Sequence, residues 1–418
     1  MNKNTALELD AQDPLKKYRD YFHFPKGKSR EKVLYFTGNS LGLQPKNTAQ
    51  HINQELKDWA SFGVEGHFKG KNIWVSYHEL LTSKLAKVTG SKDIEVVAMN
   101  SLTVNLNLLM VSFYQPNSKK NKIMIESGAF PSDIYAVKSH IKLHGFDPKD
   151  CLIELKPREG EHTLRTDDIL KAIEENKDEL ELVMFSGVNY YTGQAFDMKS
   201  IAAFSRKLNI NCGFDLAHAV GNLDLQLHDW APDFAVWCTY KYLNSGPGGI
   251  GGAFVHERHK NTAFPRLEGW WGSEKENRFK MNPDFVPLEG VEAWQMSNPP
   301  IFQLAAHNSA LQIFEEAGFM KPLNEKTLKL TGFFDELIKS LGNDKVEVIT
   351  PSNPADRGCQ ISIRMKNADR KLFENFMERD VIVDWREPDV IRAAPTPLYN
   401  SYLDCFEFYE ILKDELSK

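Results

Sequence analysis

The sequence predicts an α/β protein, a mostly parallel sheet covered by helices on both faces, with a smaller α/β domain towards the C-terminus. Three observations carry that expectation. Between about residues 95 and 256, short apolar runs alternate with amphipathic stretches, the β-α-β-α rhythm of strands joined by crossover helices. The 418 residues are enough for two or three domains, each with its own core. The residues richest in chemistry fall just past the expected strands, and sheets of this kind bind ligands outside the carboxyl ends of their strands.

Taken in order, residues 1–60 form an N-terminal segment expected to pack with the small domain, 61–300 the large domain, and 301–418 the small C-terminal one. Residues 94–98 read as a strand that runs into an apolar helix after Met99-Asn100-Ser101. Residues 122–125 read as a strand and 133–144 as a helix with Ile134, Val137 and Ile141 on one face. A strand at 151–155 follows, then a helix capped by Thr166-Asp167-Asp168 and running to 177. Next come a strand at 182–185, a helix at 198–208, and strands at 211–215, 234–238 and 252–255. From about Pro300 the pattern changes to a long helix to Ala317 and another around 325–340. A strand near 346–349 and a strand–helix–strand unit ending at Val383 complete it.

Composition narrows the class. Hydrophobic residues at 42% and charged residues at 26% are ordinary globular values. A net charge of −6 provides no basic field, so nucleic acid is not expected as a partner. No apolar run is long enough for a bilayer, and no membrane partner is expected. Met1-Asn2-Lys3-Asn4 leads to Glu8 and Asp10 without the apolar stretch of a secretory signal. The five cysteines are scattered, odd in number and never spaced C-x-x-C, which suits free thiols in a reducing cytoplasm and offers no metal site.

Four features sit at strand ends. Asp215, in Gly213-Phe214-Asp215-Leu216-Ala217-His218, closes a buried strand and could pair with a buried cation such as the pyridinium nitrogen of pyridoxal 5′-phosphate. It could equally cap a helix. Lys241, in Trp237-Cys238-Thr239-Tyr240-Lys241, stands between a strand and a glycine-rich return and is placed to form a Schiff base. An isolated lysine is far more often a surface residue. The pairing raises the case: Lys241 follows Asp215 by 26 residues, one helix-and-strand unit, so both end strands of one sheet. The turn before Leu102 and Thr103 opens a helix whose backbone N–H groups could cup a phosphate, or it is an ordinary capping turn. Phe130, in Gly128-Ala129-Phe130-Pro131-Ser132-Asp133, could stack on a pyridine ring, or it is core.

With these residues in place, the sequence resembles the kynureninases, pyridoxal-phosphate hydrolases of fold type I. The resemblance runs in order through Thr37-Gly38-Asn39-Ser40-Leu41-Gly42, the turn at 100–105, Phe130-Pro131-Ser132-Asp133 and Phe185-Ser186-Gly187-Val188. It continues through the stretches at 214–221 and 240–252, Gly269-Trp270-Trp271-Gly272, Ser297-Asn298-Pro299-Pro300 and 391–401. It implies the PLP-dependent transferase-like fold with a seven-stranded sheet. It also implies hydrolysis of kynurenine or 3-hydroxykynurenine at Cβ–Cγ to anthranilate or 3-hydroxyanthranilate and L-alanine.

Carried over by motif, Leu102, Thr103, Phe130, Pro131, Ser132, Asp133, Ser186 and His218 hold pyridoxal phosphate. Lys241 bonds to it, Asp215 pairs with its ring nitrogen, and Tyr240 holds its phosphate and donates a proton to the departing fragment. The resemblance further implies a homodimer in which Trp270 and Asn298 enter the partner's site. Arg392 would clamp the substrate carboxylate. His67, Ser297 and Asn298 would line the ring pocket, a polar set that resembles enzymes favouring the hydroxylated ring. The rival readings are a cysteine desulfurase or selenocysteine lyase, which needs a mobile loop cysteine such as Cys359, and a non-catalytic vitamin-B6-binding protein.

Overall fold

In the computed structural model, which describes residues 1–276, 278–366 and 370–418, seven strands make the central sheet. They are β1 (Val96–Ala98), β2 (Lys122–Glu126), β3 (Leu152–Leu155), β4 (Leu180–Ser186), β5 (Asn211–Asp215), β6 (Phe234–Cys238) and β7 (Gly251–Val255). Their spatial order is β1-β7-β6-β5-β4-β2-β3. β7 lies antiparallel between β1 and β6, and the pairs from β6 to β3 are parallel. Side chains alternate between two layers, as strand geometry requires. Val183, Phe185, Phe214, Ala235 and Trp237 pack into the core on one face, and Leu182, Met184, Phe234 and Val236 into the core on the other.

The helices that matter for the site are α1 (Leu102–Phe113) and α2 (Pro131–Leu143), which follow β1 and β2. Both start at the carboxyl ends of those strands. The start of α1 lies so close to β7 that a Cβ on Gly251 would sit 2.9 Å from the Ser101 carbonyl carbon and 3.0 Å from the Leu102 nitrogen. Only glycine lets β7 pass there without displacing the turn. Asn100, at φ +48°, takes the left-handed turn and donates its side-chain amide to Asn105 at 3.0 Å.

A second sheet contains β8 (Val346–Val348), β9 (Ile361–Met365), β10 (Asp384–Arg386) and β11 (Val390–Ala393), all antiparallel in the order β8-β9-β11-β10. Its core also takes in Ala6, Leu34 and Phe36 from the N-terminal segment and residues of helices α4 (Met320–Lys339) and α5 (Tyr402–Glu415). The short strand Val381–Ile382, expected to close a strand–helix–strand unit, pairs instead in parallel with Leu34–Tyr35. α3 (Ile301–Glu316) behaves differently from its expected place in the small domain. Leu304, Ala305, Leu311, Ile313 and Phe314 all belong to the large core, and residues 304–311 are buried in succession.

Candidate active site

Asp215 is the last residue of β5, and Lys241 comes three residues after the end of the adjacent β6. Lys241 Nζ donates to His218 Nε2 at 2.9 Å. Burial, reinforced by the Lys241 charge, holds His218 well below its ordinary pKa, so it remains a neutral acceptor. Asp215 is buried, and its Oδ1 accepts the Ala217 N–H at 2.7 Å, so the capping turn and the site use the same carboxylate. Burial raises the pKa of Asp215, opposed by a hydrogen bond with Asp133, by Ala217 and by the Lys241 charge. Asp133 is pushed well above the carboxylate range by burial first and by Asp215 second. Asp133 is therefore the partner that retains the proton.

Across the cavity, α1 and α2 point their N-termini at the same space. The residues before them, Ser101 and Phe130, make no side-chain capping bond, so the first backbone N–H groups have no partner from either cap. Thr103 Oγ1 and Ser132 Oγ lie 2.8 Å apart between the two helix starts. Backbone N–H groups, two hydroxyls and two helix dipoles face one space here, an arrangement that could hold an anion. Pro131 begins α2, where its missing N–H costs nothing. Phe130 is not core. It is 45% exposed, its ring centroid lies 6.0 Å from Lys241 Nζ, and it meets Tyr190 edge-on at 5.2 Å. Burial and the neighbouring Cys238 raise the Tyr240 phenol above its ordinary pKa, so it keeps its proton.

Leu102, Thr103, Phe130, Ser132, Asp133, Ser186, Asp215, His218, Tyr240, Lys241 and Arg392 all line one cavity of about 250 Å³. Arg392 comes from the second sheet on β11 and is buried, donating Nη1 to the Tyr190 carbonyl at 2.7 Å. It also pairs with Asp384 on β10, its register partner, which accepts from Ser40 Oγ at 2.6 Å and from Arg386 at 3.1 Å. The Arg392 Nε–H is buried without a hydrogen-bond partner among the described residues.

Four further expected residues lie elsewhere. Ser297 and Asn298 are exposed and line a separate cavity of about 420 Å³ that also includes Asn100, Ser101 and Gly248. Trp270 is 47% exposed. His67 is half-buried against Trp74, at 5.5 Å between ring centroids, and does not reach Arg392's cavity within this chain.

The cavity also takes in Ser40, Tyr190 and Arg386, which the sequence did not single out, and Glu126 lies behind Ser186, outside that cavity. Glu126 ends β2, and a charged residue closing an apolar run was the only signal for it. Cys359, the residue a desulfurase reading needs, is fully buried beside Thr327, and burial pushes its thiol up to about 12. All five cysteines are buried and free.

Two groups of comparisons bear on this geometry. Among solved structures, the chain is similar to a cysteine desulfurase from Thermococcus onnurineus, with a TM-score of 0.75, 16% identity and 98% of each chain covered. It is also similar to the cysteine desulfurase CsdA of Escherichia coli, with a TM-score of 0.76, 13% identity, and 96% of this chain and 98% of that chain covered. At such identities the likeness is one of fold. In sequence, the chain is 52% identical to a kynureninase of Myxococcus xanthus over 99% of this chain and 97% of that protein. It is 49% identical to one of Koribacter versatilis over 98% and 96%. A family model described as the kynureninase C-terminal domain matches residues 323–412, the part that contains Asp384 and Arg392. The chain belongs to the kynureninase family.

Proposed function

We propose that this chain is a pyridoxal-phosphate hydrolase that cleaves the Cβ–Cγ bond of L-kynurenine or 3-hydroxy-L-kynurenine. The products are anthranilate or its 3-hydroxy form and L-alanine. The observation that carries the reading is one cavity holding Lys241, Asp215, the double helix-start cup and the buried Arg392, in a chain about half identical to kynureninases.

The residues fit the cofactor. Lys241 stands in reach of an aldehyde carbon, Asp215 is a buried carboxylate suited to a ring cation, and the cup suits a phosphate. His218 Nδ1 and Asp133 Oδ1, on residues that line the cavity, are buried polar atoms without hydrogen-bond partners among the described residues. When bound, pyridoxal phosphate supplies the electron sink for charge released at Cα and Cβ of the substrate.

The chain's own groups do the rest. Lys241 removes and returns the proton at substrate Cα, with His218 Nε2 holding the amine in position. Asp133 donates to Asp215 and keeps it anionic. Tyr240, which keeps its phenolic proton, donates it to the departing fragment. Arg392 exchanges Asp384 for the substrate carboxylate and takes two parallel charge-assisted bonds.

The site is completed by a second copy. Phe68, Phe279 and Trp270 form an exposed aromatic row, with ring centroids 5.7 and 5.6 Å apart, beside the loop of His67. Burying that row in a homodimer brings Trp270, His67, Ser297 and Asn298 to the other chain's Arg392. The small domain begins near residue 323, after α3, and the protein acts in the cytoplasm on a small-molecule substrate. The test is direct: purified protein with added pyridoxal phosphate is expected to release anthranilate from kynurenine or 3-hydroxyanthranilate from the hydroxylated form. Release of neither defeats the proposal.

A further inference from the structure

Behind Ser186 lies a carboxyl group that the proposed reaction leaves unused. Glu126, the last residue of β2, is 2% exposed. Its carboxyl accepts the Ser186 hydroxyl and, at 3.2 Å, the Ser186 N–H, across the β2–β4 pair. Ser186 lines the reaction cavity. Glu126 lines a second cavity of about 160 Å³ on the other side, together with Asn189, Gln194 and His162. That volume holds several waters, and its polar lining gives them partners. Ser186 and Glu126 thus join two solvent-sized spaces, both of which Tyr190 also lines.

We infer that Glu126 is a positioning residue that accepts and releases a proton through the Ser186 hydroxyl, linking the reaction cavity to the second cavity. The inference rests on the proposed reaction, in which water is consumed and protons move. When Glu126 is ionised, Ser186 donates to it. A proton arriving at Ser186 Oγ displaces the hydroxyl proton onto Glu126, which then releases it to solvent in the second cavity. Ser186 ends as a neutral hydroxyl and Glu126 as a carboxylate, so one proton has moved and no bond is otherwise changed.

The state of the pair is visible from the reaction side. A protonated Glu126 donates to Ser186 Oγ and turns the serine O–H towards the cavity. Glu126 is suited to both states, because burial raises its pKa to about 7 against the lowering effect of Ser186. The charged and titratable groups around it are Asp215 on β5, Asp133 on α2, Lys241 after β6, and His162 in the second cavity.

Two holoenzyme variants test the link. Glu126→Gln keeps the size and hydrogen bonding but carries no proton, and Ser186→Ala leaves Glu126 in place and removes the hydroxyl. The visible absorbance of the bound cofactor, recorded without substrate, is expected to titrate near pH 7 in the parent and to lose that titration in both variants. kcat is expected to fall at least tenfold in each, with KM changed less than twofold, and the double variant to lose no more than the worse single one. Formate is expected to restore turnover saturably to Glu126→Ala.

An unchanged titration with parental kcat, or fully additive losses in the double variant, overturns the inference. Should Glu126→Gln fail to fold, Ser186→Ala alone decides: retention of the near-neutral titration overturns it, and loss supports it. A parent that releases no anthranilate defeats the proposed reaction instead, and the substrate-free titration still judges the relay.

Discussion

At the residue scale, the cavity sets the carboxyl groups of Asp133 and Asp215 beside the cations Lys241, Arg386 and Arg392, and burial is the first cause of both raised carboxyls. Lys241→Ala is expected to abolish both the visible absorbance of bound cofactor and turnover, and an absorbance spectrum with a product assay checks it. Arg392 predicts a graded effect. Removing charge-assisted bonds to a carboxylate costs about 1.5–3 kcal/mol, so Arg392→Ala is expected to lower kcat/KM by roughly tenfold to a hundredfold. An unchanged kcat/KM would show that another group holds the carboxylate. Glu126 gives a stability prediction. Its folded pKa of about 7 lies above its ordinary 4.5, so the folded state binds the proton more tightly. Its contribution is therefore complete below about pH 4.5 and is lost as pH rises through 7, on the order of 3 kcal/mol in all. Glu126→Gln is expected to flatten that part of the pH dependence, measured as urea midpoints of protein without cofactor. Asp133 and Asp215, also raised, leave a slope of the same sign.

At the scale of elements, the sequence reveals what is local and hides what only packing creates. The central strands were legible because each is an apolar run closed by a turn, and Asp215 and Lys241 were found from their positions after such runs. The cup was legible as the start of α1, whereas α2 was read as a helix over 133–144 whose start, at Pro131, was not read as the other half of the cup. Glu126 was not, because only the insertion of β2 between β3 and β4 buries the end of that strand. Asp384 and Arg386 were hidden for a similar reason. β10 and β11 are short, interrupted by charges, and meet Ser40 and Tyr190 from distant segments. α3 misled by position: it follows the large domain in sequence yet packs into the large core. The paired helix starts predict a measurable binding effect. Thr103→Val together with Ser132→Ala removes two hydroxyl donors to a charged group, each worth about 1.5–3 kcal/mol. Cofactor affinity, titrated by absorbance, is expected to fall at least tenfold, while thermal unfolding without cofactor changes little.

At the scale of the whole molecule, the question is what a single chain leaves unfinished. Arg392, Lys241 and Asp215 share one cavity, whereas Trp270, Ser297 and Asn298 are exposed and His67 is half-buried, all four outside it. If each site is built from two chains, mixing a Lys241→Ala chain with an Asn298→Ala chain is expected to restore activity, because a hybrid carries one site with both residues intact. Subunit exchange without rescue would assign each site to one chain. The same arrangement bears on substrate choice. A ring pocket closed by an imidazole, a hydroxyl and an amide offers partners to a phenolic hydroxyl, whereas plain kynurenine leaves one or more of them unsatisfied. A buried polar group without a partner costs about 1–3 kcal/mol, enough for roughly tenfold to hundredfold discrimination. The His67 ring is held in an orientation that suits such a contact. Its Nδ1 lies 3.0 Å from the Val64 carbonyl and its ring packs on Trp74, which leaves Nε2 as the free edge. The expected outcome is a higher kcat/KM for 3-hydroxykynurenine, with the preference reduced in His67→Phe. Equal values for the two substrates would remove these three residues from the ring pocket and leave the reaction itself standing.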